Sequence, residues 1–256
     1  MMHEININKN IHTDLVIDNS SYRKSNKKIS VYNSKHNNYN YSTITFKDIT
    51  DKNNYKDVQN TFIDELKKII NINKNDVILV VGLGNSNSTP DSLGPKVIDN
   101  ILVTRYLFLL GDVEEGYSNV CSFSPNVMAN TGIETADIIK SIINDVGATK
   151  VIVVDALKTS NLDRLTKTIQ ITDSGIAPGS GIGNTRSEIS KKTMNIDIIA
   201  IGVPTVVDIK ELVNKNNLGN CIVTPTNIDF IIEKLSTLIG NGINIYLHKN
   251  YIRQNN

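Results

Sequence analysis

Two acidic residues lie where a carboxylate could take part in catalysis. Asp91 lies in residues 82–95, a segment rich in Gly, Ser and Asn that follows the apolar run 76–82. Asp155 ends a second apolar run, residues 150–155. A lone carboxylate is costly to bury, so Asp155 must face a cleft or have a partner.

Paired carboxylates can divide the work of hydrolysis between them. One stays ionised and activates water, while the other keeps a proton and donates it to the leaving group or polarises the carbonyl. Two like charges in proximity push their pKa values apart, which creates this difference between identical side chains. In the alternative interpretation, Asp91 caps the following helix and Asp155 has only a structural partner.

A glycine-rich segment, residues 172–186, is the third candidate. It carries four glycines within nine residues, which lets the backbone approach a ligand closely. Such a segment could hold a peptide by main-chain hydrogen bonds, with Arg186 contacting a carboxylate. The alternative is an ordinary surface loop. The predicted substrate contacts are Asn85, Gly179, Ser180, Gly181 and Arg186.

Other catalytic chemistries have weaker support. The Gly82-x-Gly84 pattern lacks the third glycine of a dinucleotide-binding motif, because position 87 is Asn. The four histidines lie near the ends of the chain, outside any zinc-binding motif. The two cysteines, Cys121 and Cys221, form no CxxC pair. We therefore expect carboxylate chemistry without a cofactor or a bound metal.

The apolar patterning predicts the elements that position these residues. Apolar runs typical of parallel strands covered on both faces occur at residues 76–82, 150–155 and 197–203. Helical periodicity occurs at residues 57–70, 95–107, 135–146 and 227–247. This alternation predicts a doubly wound, mostly parallel α/β sheet with flanking helices. Ligands bind beyond the carboxyl ends of such strands, where Asp91 and Asp155 both lie.

Shorter alternating segments predict the sheet's periphery. Residues 29–32 and 44–46 alternate in a polar region, which predicts a small β-rich N-terminal extension that packs on the core. Residues 168–172 alternate like an edge strand.

Composition limits the partners of the chain. Its 256 residues include 27 Lys and Arg against 26 Asp and Glu, for a net charge of +1. That balance argues against a nucleic acid or an anionic membrane as a partner of the whole surface. The polar N-terminus has no apolar segment of a signal peptide, and no run approaches the roughly 18 apolar residues of a membrane span. We expect a soluble cytoplasmic protein.

A series of collinear motifs resembles the germination protease family of spore-forming bacteria. The motifs include Val-Val-Gly-Leu-Gly-Asn at 80–85, Thr-Pro-Asp-Ser-Leu-Gly-Pro at 89–95, Val-Glu-Glu-Gly-Tyr at 113–117, Thr-Gly-Ile-Glu-Thr at 131–135, Asp-Ala-Leu at 155–157, Asp-Ser-Gly-Ile-Ala-Pro-Gly-Ser-Gly-Ile-Gly-Asn at 173–184 and Ala-Ile-Gly-Val-Pro-Thr-Val-Val-Asp at 200–208. Thr-Asp-Leu at 13–15 resembles the family's segment just after its removable propeptide.

The resemblance implies an endopeptidase that begins the degradation of small acid-soluble spore proteins during germination. It implies a location in the spore core, a self-processing zymogen, a homotetramer and a fold similar to that of hydrogenase-maturation peptidases. The two aspartates that the family uses match Asp91 and Asp155. Family cleavage sites carry Glu, so a basic subsite is implied, and Arg186 is its candidate.

The resemblance also suggests how the chain is divided. We predict a propeptide at residues 1–12, an N-terminal extension at 13–55 and an α/β peptidase domain at 56–256. Two alternatives remain: a metallopeptidase that uses the same acids as metal ligands, and a non-catalytic relative that binds spore proteins.

Overall fold

A mixed β-sheet with helices on both faces forms the framework of the molecule. The computed structural model describes residues 22–25, 28–179, 186–209 and 221–251. The strands in these ranges are β1 (Tyr22–Ser25), β2 (Ile29–His36), β3 (Tyr39–Phe46), β4 (Val77–Gly82), β5 (Asn119–Phe123), β6 (Lys150–Thr159), β7 (Thr168–Thr172), β8 (Asp197–Asp208) and β9 (Ile222–Val223). The helices are α1 (Lys52–Ile69), α2 (Leu93–Ile98), α3 (Arg105–Leu110), α4 (Met128–Thr131), α5 (Thr135–Val146), α6 (Lys191–Met194) and α7 (Ile228–Leu247).

The strand order places four parallel strands side by side. The order is β1-β2-β3-β7-β8-β6-β4-β5, with β9 also paired to β8. Strands β5, β4, β6 and β8 are parallel to their neighbours in this group, and the remaining pairings are antiparallel. This arrangement confirms the predicted α/β class, with its parallel strands and flanking helices.

The central strands are buried on both faces, as their near-continuous apolar runs predict. Along β4 and β6, alternate side chains point into two different cores. One core includes Ile78 and Ile152 with the apolar faces of α1, α2 and α7. The other includes Leu79 and Val153 with side chains of α5. Burial on both faces fixes the register of these strands, because a slip by one residue would exchange the side chains that face one core with those that face the other.

The N-terminal strands extend this sheet. Strands β1, β2 and β3 form an antiparallel meander in the region where β structure is expected, and β3 pairs with β7 from Tyr41↔Thr172 to Thr45↔Thr168. The prediction of an edge strand at residues 168–172 is therefore wrong, because β7 lies between β3 and β8 and is buried along its length. The predicted propeptide at residues 1–12 lies outside the described residues.

The helix expected at residues 95–107 is two helices. Helix α2 ends at Ile98 and α3 begins at Arg105. Between them, Asn244 of α7 accepts a hydrogen bond from the backbone N–H of Leu102 (2.9 Å) and donates one to the carbonyl of Asn100 (2.7 Å). These bonds satisfy backbone groups that a continuous helix would pair internally, so the interruption is stable.

None of the helices in the described ranges has both the length and the apolar character that crossing a membrane requires.

Candidate active site

The first loop, between β4 and α2, holds Asp91 in place. At Gly84 the chain turns with a φ of +115°, and a Cβ there would lie 2.0 Å from the carbonyl oxygen of Asp91. Only glycine fits such a turn without strain. The N–H of Asn85 then donates to both the carbonyl oxygen (3.1 Å) and Oδ2 (3.0 Å) of Asp91. The Asp91 carboxylate is thus fixed by a hydrogen bond from within its own loop.

Asp91 does not cap helix α2. The N-cap residue of α2 is Ser92, and no side chain caps the helix. The Asp91 carboxylate instead accepts its hydrogen bond from Asn85, which precedes it in the chain. The alternative interpretation of Asp91 as a helix cap is therefore wrong.

Asp155 lies on β6, next to the end of β4. Strand β4 stops at Gly82, opposite Val154, and the following residue of β6 is Asp155. Asp155 is 6% exposed, and its Oδ1 accepts a hydrogen bond from the N–H of Ala156 (2.8 Å). A carboxyl group so placed is largely removed from water but still opens toward the carboxyl edge of the sheet.

A single cleft contains both acids. Its volume is about 360 Å³, and Asp91 and Asp155 both line it. Three of the five predicted substrate contacts line the same cleft: Asn85, Gly179 and Arg186. The other two, Ser180 and Gly181, lie outside the described residues.

Burial and mutual repulsion determine the protonation of the two acids. Desolvation raises the pKa of Asp91 to about 6, against the opposing effect of the Asn85 hydrogen bond. The pKa of Asp155 lies well above its ordinary value because of burial first and the Asp91 charge second, while the Ala156 hydrogen bond opposes the rise. Burial and the nearby Asp91 charge therefore both favour the protonated form of Asp155.

Two basic side chains line the cleft, and each is partly neutralised. Nη1 of Arg186 lies 3.6 Å from Oε2 of Glu134 and also contacts the sulfur of Met128. Nζ of Lys158 lies 3.3 Å from Oδ2 of Asp208. Sequence reasoning missed Lys158, although its position three residues after Asp155 on the same strand would have placed it near this edge.

Sequence reasoning also missed the apolar wall of the cleft. The residues that contribute it include Val127, Met128, Ala129, Leu157, Val206 and Ile222. Helix α4 has only four residues, too few for any periodic signal in the sequence. Within the described ranges there is no cluster of three or more His, Cys, Asp or Glu side chains that could hold a metal ion.

The fold and the site define an α/β protein with a buried and a half-buried carboxyl group in one cleft at the carboxyl edge of its parallel strands. Comparison with known proteins gives the family. The family model described as germination protease matches residues 2–217. The chain belongs to the germination protease family, and it is therefore a protease with a protein substrate.

Individual sequence relatives agree with this assignment. A germination protease of Clostridium acetobutylicum is 38% identical over 254 residues, covering 81% of this chain and 78% of that protein. A germination protease of Geobacillus is 45% identical over 210 residues, covering 79% of this chain and 54% of that protein. Among solved structures, the NiFe hydrogenase maturation protease HycI of Thermococcus kodakarensis aligns with a TM-score of 0.40 and 16% identity, covering 70% of this chain and 98% of that chain.

Proposed function

We propose that this protease is an endopeptidase that begins the degradation of small acid-soluble spore proteins in the spore core, and that Asp91 and Asp155 carry out the hydrolysis. One observation supports the chemistry above all others. Asp91 and Asp155 line one cleft, and the Asp91 charge raises the pKa of Asp155, so the two carboxyl groups interact there and favour different protonation states.

In the proposed reaction, Asp91 starts ionised and Asp155 starts protonated. Asp91 takes a proton from a water molecule, and the resulting hydroxide attacks the carbonyl carbon of the scissile bond. Asp155 gives its proton to the carbonyl oxygen. The C–N bond then breaks, the departing amine takes the proton from Asp91, and the hydroxyl of the intermediate returns a proton to Asp155. The pair ends in its starting state.

The remaining cleft residues hold the substrate in this proposal. The contacts are Asn85, Gly179, Ser180, Gly181 and Arg186. The guanidinium of Arg186 binds an acidic side chain of the substrate, in competition with Glu134. Its half-buried position at the cleft supports this role.

Processing and assembly complete the proposal. Residues 1–12 form a propeptide that the protein removes by self-cleavage, residues 13–55 an extension and residues 56–256 the peptidase domain, and four copies assemble. Removal of residues 1–12 should raise the cleavage rate, and light scattering should give the mass of a tetramer. Equal rates with and without the segment would contradict the zymogen, and a monomer mass would contradict the assembly.

Substitution of each acid tests the catalytic proposal. Asp91→Asn and Asp155→Asn should each lower the cleavage rate of a purified spore protein by at least about 100-fold, because a positioned acid or base contributes about 10²–10⁴-fold. Asp163→Asn, at an exposed aspartate of a turn, is the matched control. Full activity in either cleft variant would contradict the mechanism.

The same assay tests the two alternatives. Cleavage should continue after treatment with a chelator, and its loss with restoration by a divalent ion would indicate a metallopeptidase. Tight binding of the spore protein by fully processed wild-type protein without any cleavage would indicate a binding protein.

A further inference from the structure

Strand β6 continues past the end of its neighbour. Its pairing with β4 ends at Gly82↔Val154, but its pairing with β8 continues to Thr159↔Val207. Within the part of the chain that the structure describes, residues 155–159 therefore have a strand partner on one side only. At 3.3 Å per residue, this unpaired edge is about 16 Å long, the length of about five residues of an extended peptide.

The turn at Gly84 leaves this edge open. The last backbone bond between the two segments runs from the N–H of Leu83 to the carbonyl of Val154 (2.8 Å). One residue later the left-handed backbone at Gly84 turns the chain toward Asp91, away from the line of β4. The next backbone groups of β6 on that side belong to Ala156, because residues two apart face the same edge of a strand.

The open edge lies inside the cleft. Ala156, Leu157 and Lys158 all line it and are half-buried, beside the two acids. The N–H of Ala156 donates to Oδ1 of its own neighbour, Asp155, and not to another strand. The charged side chain of Lys158 lies on this edge, and charges on an exposed strand disfavour nonspecific pairing with other strands.

From this geometry we infer that the protease binds its substrate as an added β-strand, which continues the line of β4 and pairs its backbone with the Ala156 edge of β6. The inference rests on the proposed endopeptidase function. It identifies the substrate class as an unfolded segment in extended conformation, because a helix or a folded loop cannot present a row of free backbone groups.

Strand addition also sets the scissile bond beside the acids. A peptide paired along residues 155–159 passes next to Asp155, so its carbonyl groups lie within the same cleft as both carboxyl groups. A peptide carbonyl that accepts the Ala156 N–H would replace Oδ1 of Asp155 and leave that carboxyl group free to act on the substrate.

N-methylation of the substrate backbone tests the inference. The probe is the tightest-binding synthetic peptide from a set that tiles one small acid-soluble spore protein, with a single N-methyl group placed at each position in turn. Affinity is measured with the Asp91→Asn variant, and cleavage with the wild-type protein. We expect losses of about tenfold or more at alternate positions and little change at the positions between, because only every second N–H faces the β6 edge.

The outcomes separate this inference from the proposed chemistry. Cleavage of the parent peptide with N-methyl effects that do not alternate overturns strand addition and leaves the catalytic pair intact. Alternating losses of affinity without any cleavage support strand addition and contradict the proposed hydrolysis. The intervening N-methyl peptides are the matched controls, since each carries the same added methyl group.

Discussion

Replacement of Asp91 should make the protein more stable while it abolishes catalysis. In the folded state the pKa of Asp91 is about 6, against an ordinary value of 3.8. At 1.36 kcal/mol per pKa unit, ionising this group in the fold costs up to about 3 kcal/mol of unfolding free energy. Asp91→Asn removes that cost, and its side-chain oxygen can still accept the Asn85 hydrogen bond.

The stability gain of Asp91→Asn over wild type should increase with pH. A raised pKa means that the folded state holds its proton more tightly than the unfolded state does. Below pH 3.8 the group is protonated in both states and costs nothing, whereas above about pH 6 it is ionised in both and the full cost is present. The stability difference between Asp91→Asn and wild type should therefore grow from near zero to about 3 kcal/mol between those limits.

Denaturant unfolding across this pH range measures the effect. The free energies of unfolding of wild type, Asp91→Asn and the control Asp163→Asn are compared at each pH, with the m-values checked for equality. Asp163→Asn removes an exposed carboxylate and so measures the effect of losing one negative charge outside the cleft. A variant that is less stable than wild type at neutral pH, or a gain that is the same at acid pH, would refute the view that burial raises the pKa of Asp91.

Three other measurements follow from the structure. The kcat/KM of the wild-type protein should rise with pH through about 6, as Asp91 ionises, and fall only at the higher pH where Asp155 loses its proton; a flat profile would contradict the assignment of base and acid. Arg186→Ala should lower kcat/KM about tenfold for substrates with an acidic residue at the cleavage site and leave neutral substrates unchanged, whereas the exposed Lys192→Ala should change neither. Burial lowers the pKa of His248, so the unfolded state binds a proton more readily than the folded state does. The free energy of unfolding should therefore fall as pH drops through 6.5, and His248→Gln should reduce this dependence of stability on pH.

The sequence was most informative where burial leaves little choice of residue. The apolar runs that became β4, β6 and β8 predicted strands covered on both faces, and the two cores confirm it. A carboxyl group at the end of such a run is conspicuous, and Asp155 does open into the predicted cleft. The position of Asp91 was predictable for a different reason. Glycine-rich loops that follow parallel strands lie at the carboxyl edge of the sheet, where ligands bind.

Long-range contacts explain the errors. Strand β7 alternates like an edge strand, but β3, far away in the chain, covers it. The periodicity at 95–107 continues through a break that Asn244 stabilises from α7. Strand β5 was missed because its five residues mix polar and apolar side chains without a clear period. In each case the deciding partner lies more than a hundred residues away or the segment is too short to show a pattern.

The pairing of β3 with β7 has a consequence for biosynthesis. Their side chains meet across a large separation, as in the hydrogen bond from Gln170 to Thr43, which are 127 residues apart in the chain. During translation the meander of β1, β2 and β3 leaves the ribosome with the β7-facing edge of β3 unpaired, and it must wait for most of the parallel strands before β7 arrives. Non-local pairings of this kind slow folding, and an unpaired edge is a template for association with another chain. Nascent chains of this protease should therefore depend on chaperones until β7 has been made.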